Sequence, residues 1–266
     1  MSDSFFPALE RFAFFSRYAK TRGWFYVISW LHRLTGIYLF GLIIGYLYIL
    51  SSSPNPNLFQ TGFKTPVQPT LVLLAWASSL VLGFHALNGG RLILYELFGK
   101  RNDAEMTRWI FFLSAAYAAV FGLLLIMKDQ HASPSFFGLM ALLSGAIAAY
   151  AVARRIRKRA HSFFWKLQRI SGGFLFMTAP AYLLFLSLNP GQPGTTHTAI
   201  AWIQEGFTRM AILILTVLAL YHAGYGLFSI TADYISSKRV LTGMTTIILV
   251  VIAVLFVLSF RIILFS

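Results

Sequence analysis

Two histidines, His85 and His222, sit inside long apolar runs, and each is followed four residues on by a glycine, Gly89 and Gly226. The i+4 residue shares the histidine's helical face, and a glycine there leaves room beside the imidazole for a large flat ligand. A single buried histidine is ordinarily a helix–helix hydrogen-bonder. Two of them in the same local pattern suit opposed imidazoles holding a haem iron from both faces. A second set of polar groups gathers at the ends of the runs. Ser29, His32 and Arg33 stand in "SWLHRLTG", Arg91 and Glu96 follow His85, Arg169 stands in "WKLQRISG", and Asp233 and Tyr234 follow His222. Snorkelling to the interface accounts for Arg33 and Arg169, but not for the accompanying Ser29, His32, Thr35 and Ser171. Cations suit haem propionates; hydroxyl, phenol and carboxyl groups suit the hydrogen bonds and protons that a quinone requires.

The elements that must position these groups are membrane helices. The chain is 58% hydrophobic and only 11% charged, with a mean hydropathy of +0.70, and it holds repeated apolar runs of about 20 residues, the length that crosses a bilayer. The spacing predicts seven spans, near 26–50, 69–95, 108–127, 136–153, 164–188, 208–231 and 241–264. The first is flanked by charge and lacks a cleavage site, so it reads as a retained helix and not as a signal peptide. Residues 4–22 read as a short interfacial helix with one basic face. The segments 51–68 and 189–200 carry Pro, Gly, Ser, Thr and Asn and read as loops. With no cysteine, the chain holds neither disulfides nor iron–sulfur clusters of its own. The net charge of +14 belongs to orientation and not to nucleic acid, because the cations flank the apolar runs. With the N-terminus in the cytoplasm, only Lys64, Lys128, Arg209 and Arg261 of the 22 Lys and Arg lie on the outer side. An odd number of spans then puts the C-terminus outside.

The chain also repeats itself. A shift of 136 carries Leu31, Arg33, Gly36 and Tyr46 onto Leu167, Arg169, Gly172 and Tyr182; a shift of 137 carries His85, Ala86, Gly89 and Glu96 onto His222, Ala223, Gly226 and Asp233. Each unit is three helices that enter from the cytoplasm and end outside. Two such units in one orientation cannot be joined by a loop, so the span near 136–153 returns the chain inside. The predicted fold is therefore an all-α integral membrane protein with seven transmembrane helices, two parallel three-helix repeats joined by an extra linker helix (3+1+3). Residues 1–128 form the first unit with its interfacial helix, 129–162 the linker helix and a basic loop, and 163–266 the second unit.

The pattern S-x-x-H-R-x-T-G from Ser29, followed by H-x-x-x-G-x-R from His85 with an acid eleven residues later, resembles the larger cytochrome b anchor subunit of succinate dehydrogenase or fumarate reductase. H-x-x-x-G from His222, followed by Asp233 and Tyr234, looks like the smaller anchor subunit of the same complex. This sequence departs from that pattern in joining both on one chain, in having Glu96 where aspartate is usual, and in having Gln168 for the second H-R histidine. The resemblance implies a membrane anchor of a succinate:quinone oxidoreductase in the respiratory chain, set in a bacterial inner membrane. It would dock flavoprotein and iron–sulfur subunits on its cytoplasmic face and be enzymatic only within that complex. It further implies haem b on His85 and His222, with Gly89 and Gly226 beside it and its propionates toward His32, Arg33, Arg91 and Arg169, and quinone at Ser29, Arg33, Asp233 and Tyr234.

One haem is expected. Relatives with two place their second histidines inside the first helix of each unit, where this chain has Tyr46 and Tyr182. Two phenolates buried in hydrocarbon would be strongly disfavoured. His131 and His197 fall in outer loops, and His161 lies at the inner surface. Two other readings remain at this stage: a secondary transporter built from parallel repeats, and a haem-free structural anchor.

Overall fold

The computed structural model describes residues 23–51, 69–99, 103–127, 134–188 and 206–265. The interfacial segment 4–22, the loops at 52–68 and 189–205, and His131 and His197 lie outside the described residues. The described residues form seven helices: α1 (Trp24–Ser51), α2 (Pro69–Phe98), α3 (Asp103–Ile126), α4 (Pro134–Ile156), α5 (Phe163–Leu188), α6 (Gly206–Tyr234) and α7 (Lys238–Phe265). No described residue is in a strand. Each of the seven predicted spans coincides with one of these helices, most of which run a few residues further at one or both ends.

Five helices are long and apolar enough to cross a membrane, over Trp24–Tyr48, Glu105–Ile126, Phe136–Ile156, Arg209–Tyr234 and Lys238–Leu264. The other two, α2 and α5, are 30 and 26 residues long. Their lower hydropathy comes from the polar residues that concern function: Ser78, Ser79, His85, Asn88, Arg91 and Glu96 on α2, and Lys166, Gln168 and Arg169 on α5. These two helices pack against each other near the centre of the bundle. Outward faces carry large apolar side chains such as Ile147, Leu249 and Phe112, all more than 60% exposed, as a lipid solvent permits. Inward faces bury Ser79, Asn88, Thr107, Ser114, Ser171 and Ser259. Several of these hydroxyls satisfy themselves by bonding back to a carbonyl one turn earlier, as Ser114 does to Ile110 and Ser259 to Leu255. The protein is an all-α, multi-pass membrane protein.

Helix contacts follow the internal repeat. Helices α1, α2 and α3 pack in sequence, as do α5, α6 and α7; between the units, α2 packs on α5 and α6 on α1, while α3 packs on α5 and α7 on α1. Exchanging the units exchanges these contacts, so the two halves are related by a pseudo-two-fold axis running along the helices. Helix α4 has no counterpart. It packs most extensively on α5 and also touches α2 and α6, and through Val152 and Ile156 it joins a core cluster with Leu97, Ile93, Trp165 and Ile170. The links after α2, α4 and α6 are short and lie at one end of the bundle. Gly99 closes α2 with φ of 71°, its N–H donating a hydrogen bond to the Tyr95 carbonyl, the left-handed cap that glycine adopts without strain.

Candidate functional site

At the level of His85 and His222 the two units build the same arrangement twice. His85 Nδ1 lies 3.1 Å from the carbonyl oxygen of His32 and 3.1 Å from Thr35 Oγ1, both on α1. A carbonyl oxygen only accepts, and the Thr35 hydroxyl already donates to the Leu31 or His32 carbonyl. The proton of a neutral His85 therefore sits on Nδ1, and Nε2 presents its lone pair. His222 repeats this: its Nδ1 lies 3.3 Å from Ser171 Oγ on α5, and that hydroxyl donates to the Gln168 carbonyl. Thr35 and Ser171 are equivalent under the shift of 136. A ring nitrogen that donates to a carbonyl or hydroxyl while its neighbour faces inward is the usual preparation of a metal-binding histidine.

Glycines fix where the rings lie. A Cβ added at Gly36 would sit 3.0 Å from His85 Cε1, and one at Gly172 would sit 3.1 Å from His222 Cε1. The histidine edge thus rests on the bare backbone of the unit's first helix. The spacing from each histidine points to Gly89 and Gly226 for this role, and the repeat marks Gly36 and Gly172 only as matching positions. Gly89 and Gly226 are the positions next to His32 and Gln168: a Cβ there would lie 3.4 Å from His32 Cε1 and 3.9 Å from Gln168 Nε2. His32 stacks on His85, with ring centroids 4.1 Å apart and planes 8° from parallel. His32 Nδ1, Gln168 Oε1 and both polar atoms of Asn88 are buried without a hydrogen-bond partner. Two neutral imidazoles prepared at Nδ1, with unsatisfied polar atoms among their neighbours, fit the donor set a haem would need, and His85 and His222 are the residues that would hold it.

Toward the same end, the two units are cross-linked by ion pairs that mirror each other. Arg33 of α1 donates to Asp233 of α6, 2.5 Å, and to the Tyr234 hydroxyl, 2.7 Å. Arg169 of α5 donates to both carboxylate oxygens of Glu96 on α2, each 2.6 Å. Arginine of one unit meets the acid of the other, in both directions. Arg91 takes a different course: it turns to the α3 side, donates to Thr107 Oγ1 at 3.1 Å and lies over the Tyr95 ring. Ser29 is exposed near the start of α1, on the helix that carries Arg33.

In the half of the bundle away from these charges, Tyr46 and Tyr182 meet hydroxyl to hydroxyl at 3.4 Å. They are equivalent residues, so this pair sits on the pseudo-two-fold axis. Below them Tyr38 bonds Ser78, and Tyr117 of α3 donates to the Pro180 carbonyl of α5.

The helices and the placement of their polar residues define a multi-pass membrane protein with a polar site at one end of its bundle. The succinate dehydrogenase/fumarate reductase transmembrane subunit family matches residues 19–126 and 148–260, most of the chain, and the chain belongs to that family. The match falls in two segments, each holding the three helices of one repeat unit; the second also takes in the last part of α4. No curated protein and no solved structure matches the chain.

Proposed function

We propose that the chain is a fused membrane anchor of a succinate:quinone oxidoreductase that holds one b-type haem between His85 and His222 and reduces quinone beside Arg33, Asp233 and Tyr234. In this reading residues 1–128 and 163–266 act as the two anchor units and 129–162 as their linker. The flavoprotein and iron–sulfur subunits dock at the end bearing the crossed ion pairs. In this reading that end faces the cytoplasm, which the distribution of cations supports, and the membrane is a bacterial inner membrane. The observation that carries the reading is the duplicated histidine geometry, in which an equivalent hydroxyl, Thr35 or Ser171, meets each Nδ1, joined at His85 by the His32 carbonyl, and leaves Nε2 for iron. A transporter reading draws no support from the family.

A bis-histidine haem supplies a one-electron relay in a low-dielectric site. The chain's own residues do the rest. His85 and His222 provide two neutral ligands, and Thr35 and Ser171 keep them in the required tautomer. Arg33, Arg91 and Arg169 bring cations to the adjacent end, which suits propionates, and His32 offers a ring nitrogen as a neutral hydrogen-bonding group. At the quinone corner the Tyr234 oxygen accepts from Arg33, so its own O–H is free to donate to a quinone oxygen. Asp233 holds Arg33 in place and can pass a proton on. Ser29 offers a second hydroxyl for the ring. In this reading the flavoprotein partner carries out succinate oxidation, and any iron–sulfur relay belongs to the other soluble partner, since this chain has no cysteine.

His85→Ala or His222→Ala is expected to abolish or severely perturb the reduced-minus-oxidised spectrum of the purified complex; an unaltered spectrum in either variant removes that residue from the iron. A pyridine haemochrome assay should give one haem per chain, because the corresponding positions of the other membrane half are the Tyr46–Tyr182 pair. A spectrum without haem bands would leave the structural-anchor reading. Tyr234→Phe should depress quinone reduction while succinate oxidation with a soluble artificial acceptor stays intact.

A further inference from the structure

The two crossed ion pairs stand at equivalent corners of the pseudo-two-fold, yet the corners are furnished differently. Under the shifts that relate the units, Tyr234 corresponds to Leu97 and Ser29 to Trp165. The Arg33 corner has its hydroxyl and phenol in the open: Ser29 is exposed and Tyr234 is 55% exposed. At the Arg169 corner Leu97 is 9% exposed and packs with Ile156 and Val152 of α4, while Trp165 joins that cluster and lies 4.7 Å from the Arg169 guanidinium carbon, measured to its ring centroid. Glu96 takes two donors of Arg169 at once, a bidentate pairing stronger than a single contact. The α2–α5 contact behind this corner is also more extensive than the α1–α6 contact behind the other.

We infer that Trp165 and Leu97, packed in place by the linker helix α4, are specificity-determining residues that close one of two pseudo-equivalent corners and so restrict the chain to a single quinone site. The inference rests on the quinone reading of the Arg33 corner. Internal duplication would otherwise produce two corners of the same chemistry, each an arginine held by an acid of the opposite unit. The linker helix exists to reverse the chain direction between parallel units, and it can lie along only one of the two inter-unit seams. At the covered corner leucine and tryptophan stand in place of tyrosine and serine, so the phenol and the hydroxyl are gone, the Trp165 ring lies against the Arg169 guanidinium, and the packing against α4 closes the entrance.

The test is photolabelling of the purified native complex with an azidobenzoquinone, followed by peptide mapping and by titration of bound quinone. One saturable quinone per chain is expected, with label on peptides containing Ser29 or Tyr234 and none on those containing Leu97 or Trp165. Label at Leu97 or Trp165, or a second saturable quinone, overturns the inference and leaves the quinone reading standing. No saturable label anywhere overturns the quinone reading itself, a distinct result. The variant Leu97→Tyr/Ile156→Ala/Trp165→Ser, which restores the hydroxyls and removes bulk from α4, should gain label at the second corner. If that variant assembles with its full haem content and gains none, these residues are not what excludes quinone.

Discussion

At the residue scale, the histidine nitrogens are controlled by small groups on a neighbouring helix. Thr35→Val removes the hydroxyl beside His85 Nδ1, and Ser171→Ala does the same for His222. A hydrogen bond between membrane helices contributes about 0.6 kcal/mol on average, so neither change should unfold the protein. Each is expected to shift the haem midpoint potential and weaken haem retention, read by redox titration and haem content. Gly36→Ala should be harsher, because its Cβ would stand 3.0 Å from His85 Cε1. Overpacking of that kind costs roughly 1–3 kcal/mol, and the ring would have to swing away from Thr35 and the His32 carbonyl. Gly41→Ala, with nothing within 4 Å of its added Cβ, is the control. Spectra that respond equally to both glycine variants would contradict the geometry. The two histidines were legible in the sequence, because one polar residue repeated within apolar runs stands out. The partners Thr35, Ser171, Gly36 and Gly172 were visible as repeat matches, but not in their roles. Spacing along one helix fixes which residues share its face, not which face of another helix they meet.

Among the elements, the crossed pairs separate two duties that look alike in the sequence. Arg33 shares its donors between Asp233 and Tyr234, while Arg169 gives two to Glu96 alone. Glu96→Gln should therefore lower the thermal stability of the complex, by about 1 kcal/mol for a pair that remains partly exposed, and leave the Michaelis constant for quinone close to native. Asp233→Asn should chiefly lower quinone reduction. A reversal of these effects, measured by thermal melts alongside quinone kinetics, would show that the corners had been assigned the wrong way round. Helix bounds were read closely from apolar run length because lipid sets that length. The reciprocity of the pairing became visible only with the helices packed, since the shifts of 136 and 137 align Arg33 with Arg169 without saying which acid each one meets. Arg91 belongs to the same lesson: grouped with the propionate cations by position, it lies against Thr107 because its turn of α2 faces α3.

For the molecule as a whole, the cation distribution predicts residues 154–159 in the cytoplasm and the C-terminus outside. A reporter fused after Ser266 that is active only outside is the expected result, and cytoplasmic activity would reverse the orientation assigned to the docking face. The short connections after α2, α4 and α6 share one end of the bundle, so the basic loop lies beside the crossed ion pairs. Arg159 reaches the Leu97 carbonyl, and Arg155 lies over the Phe98 ring.

Helix α4 has one more consequence, which concerns how the bundle is assembled. Two separate three-helix chains would have to find each other by diffusion in the bilayer, and halves of the same architecture could pair with copies of themselves. Joined through α4, the second unit meets the first at the effective concentration of a short tether, in the millimolar range. Heterologous pairing becomes an intramolecular event, insensitive to expression level, and every chain inserted in the membrane carries one copy of each half.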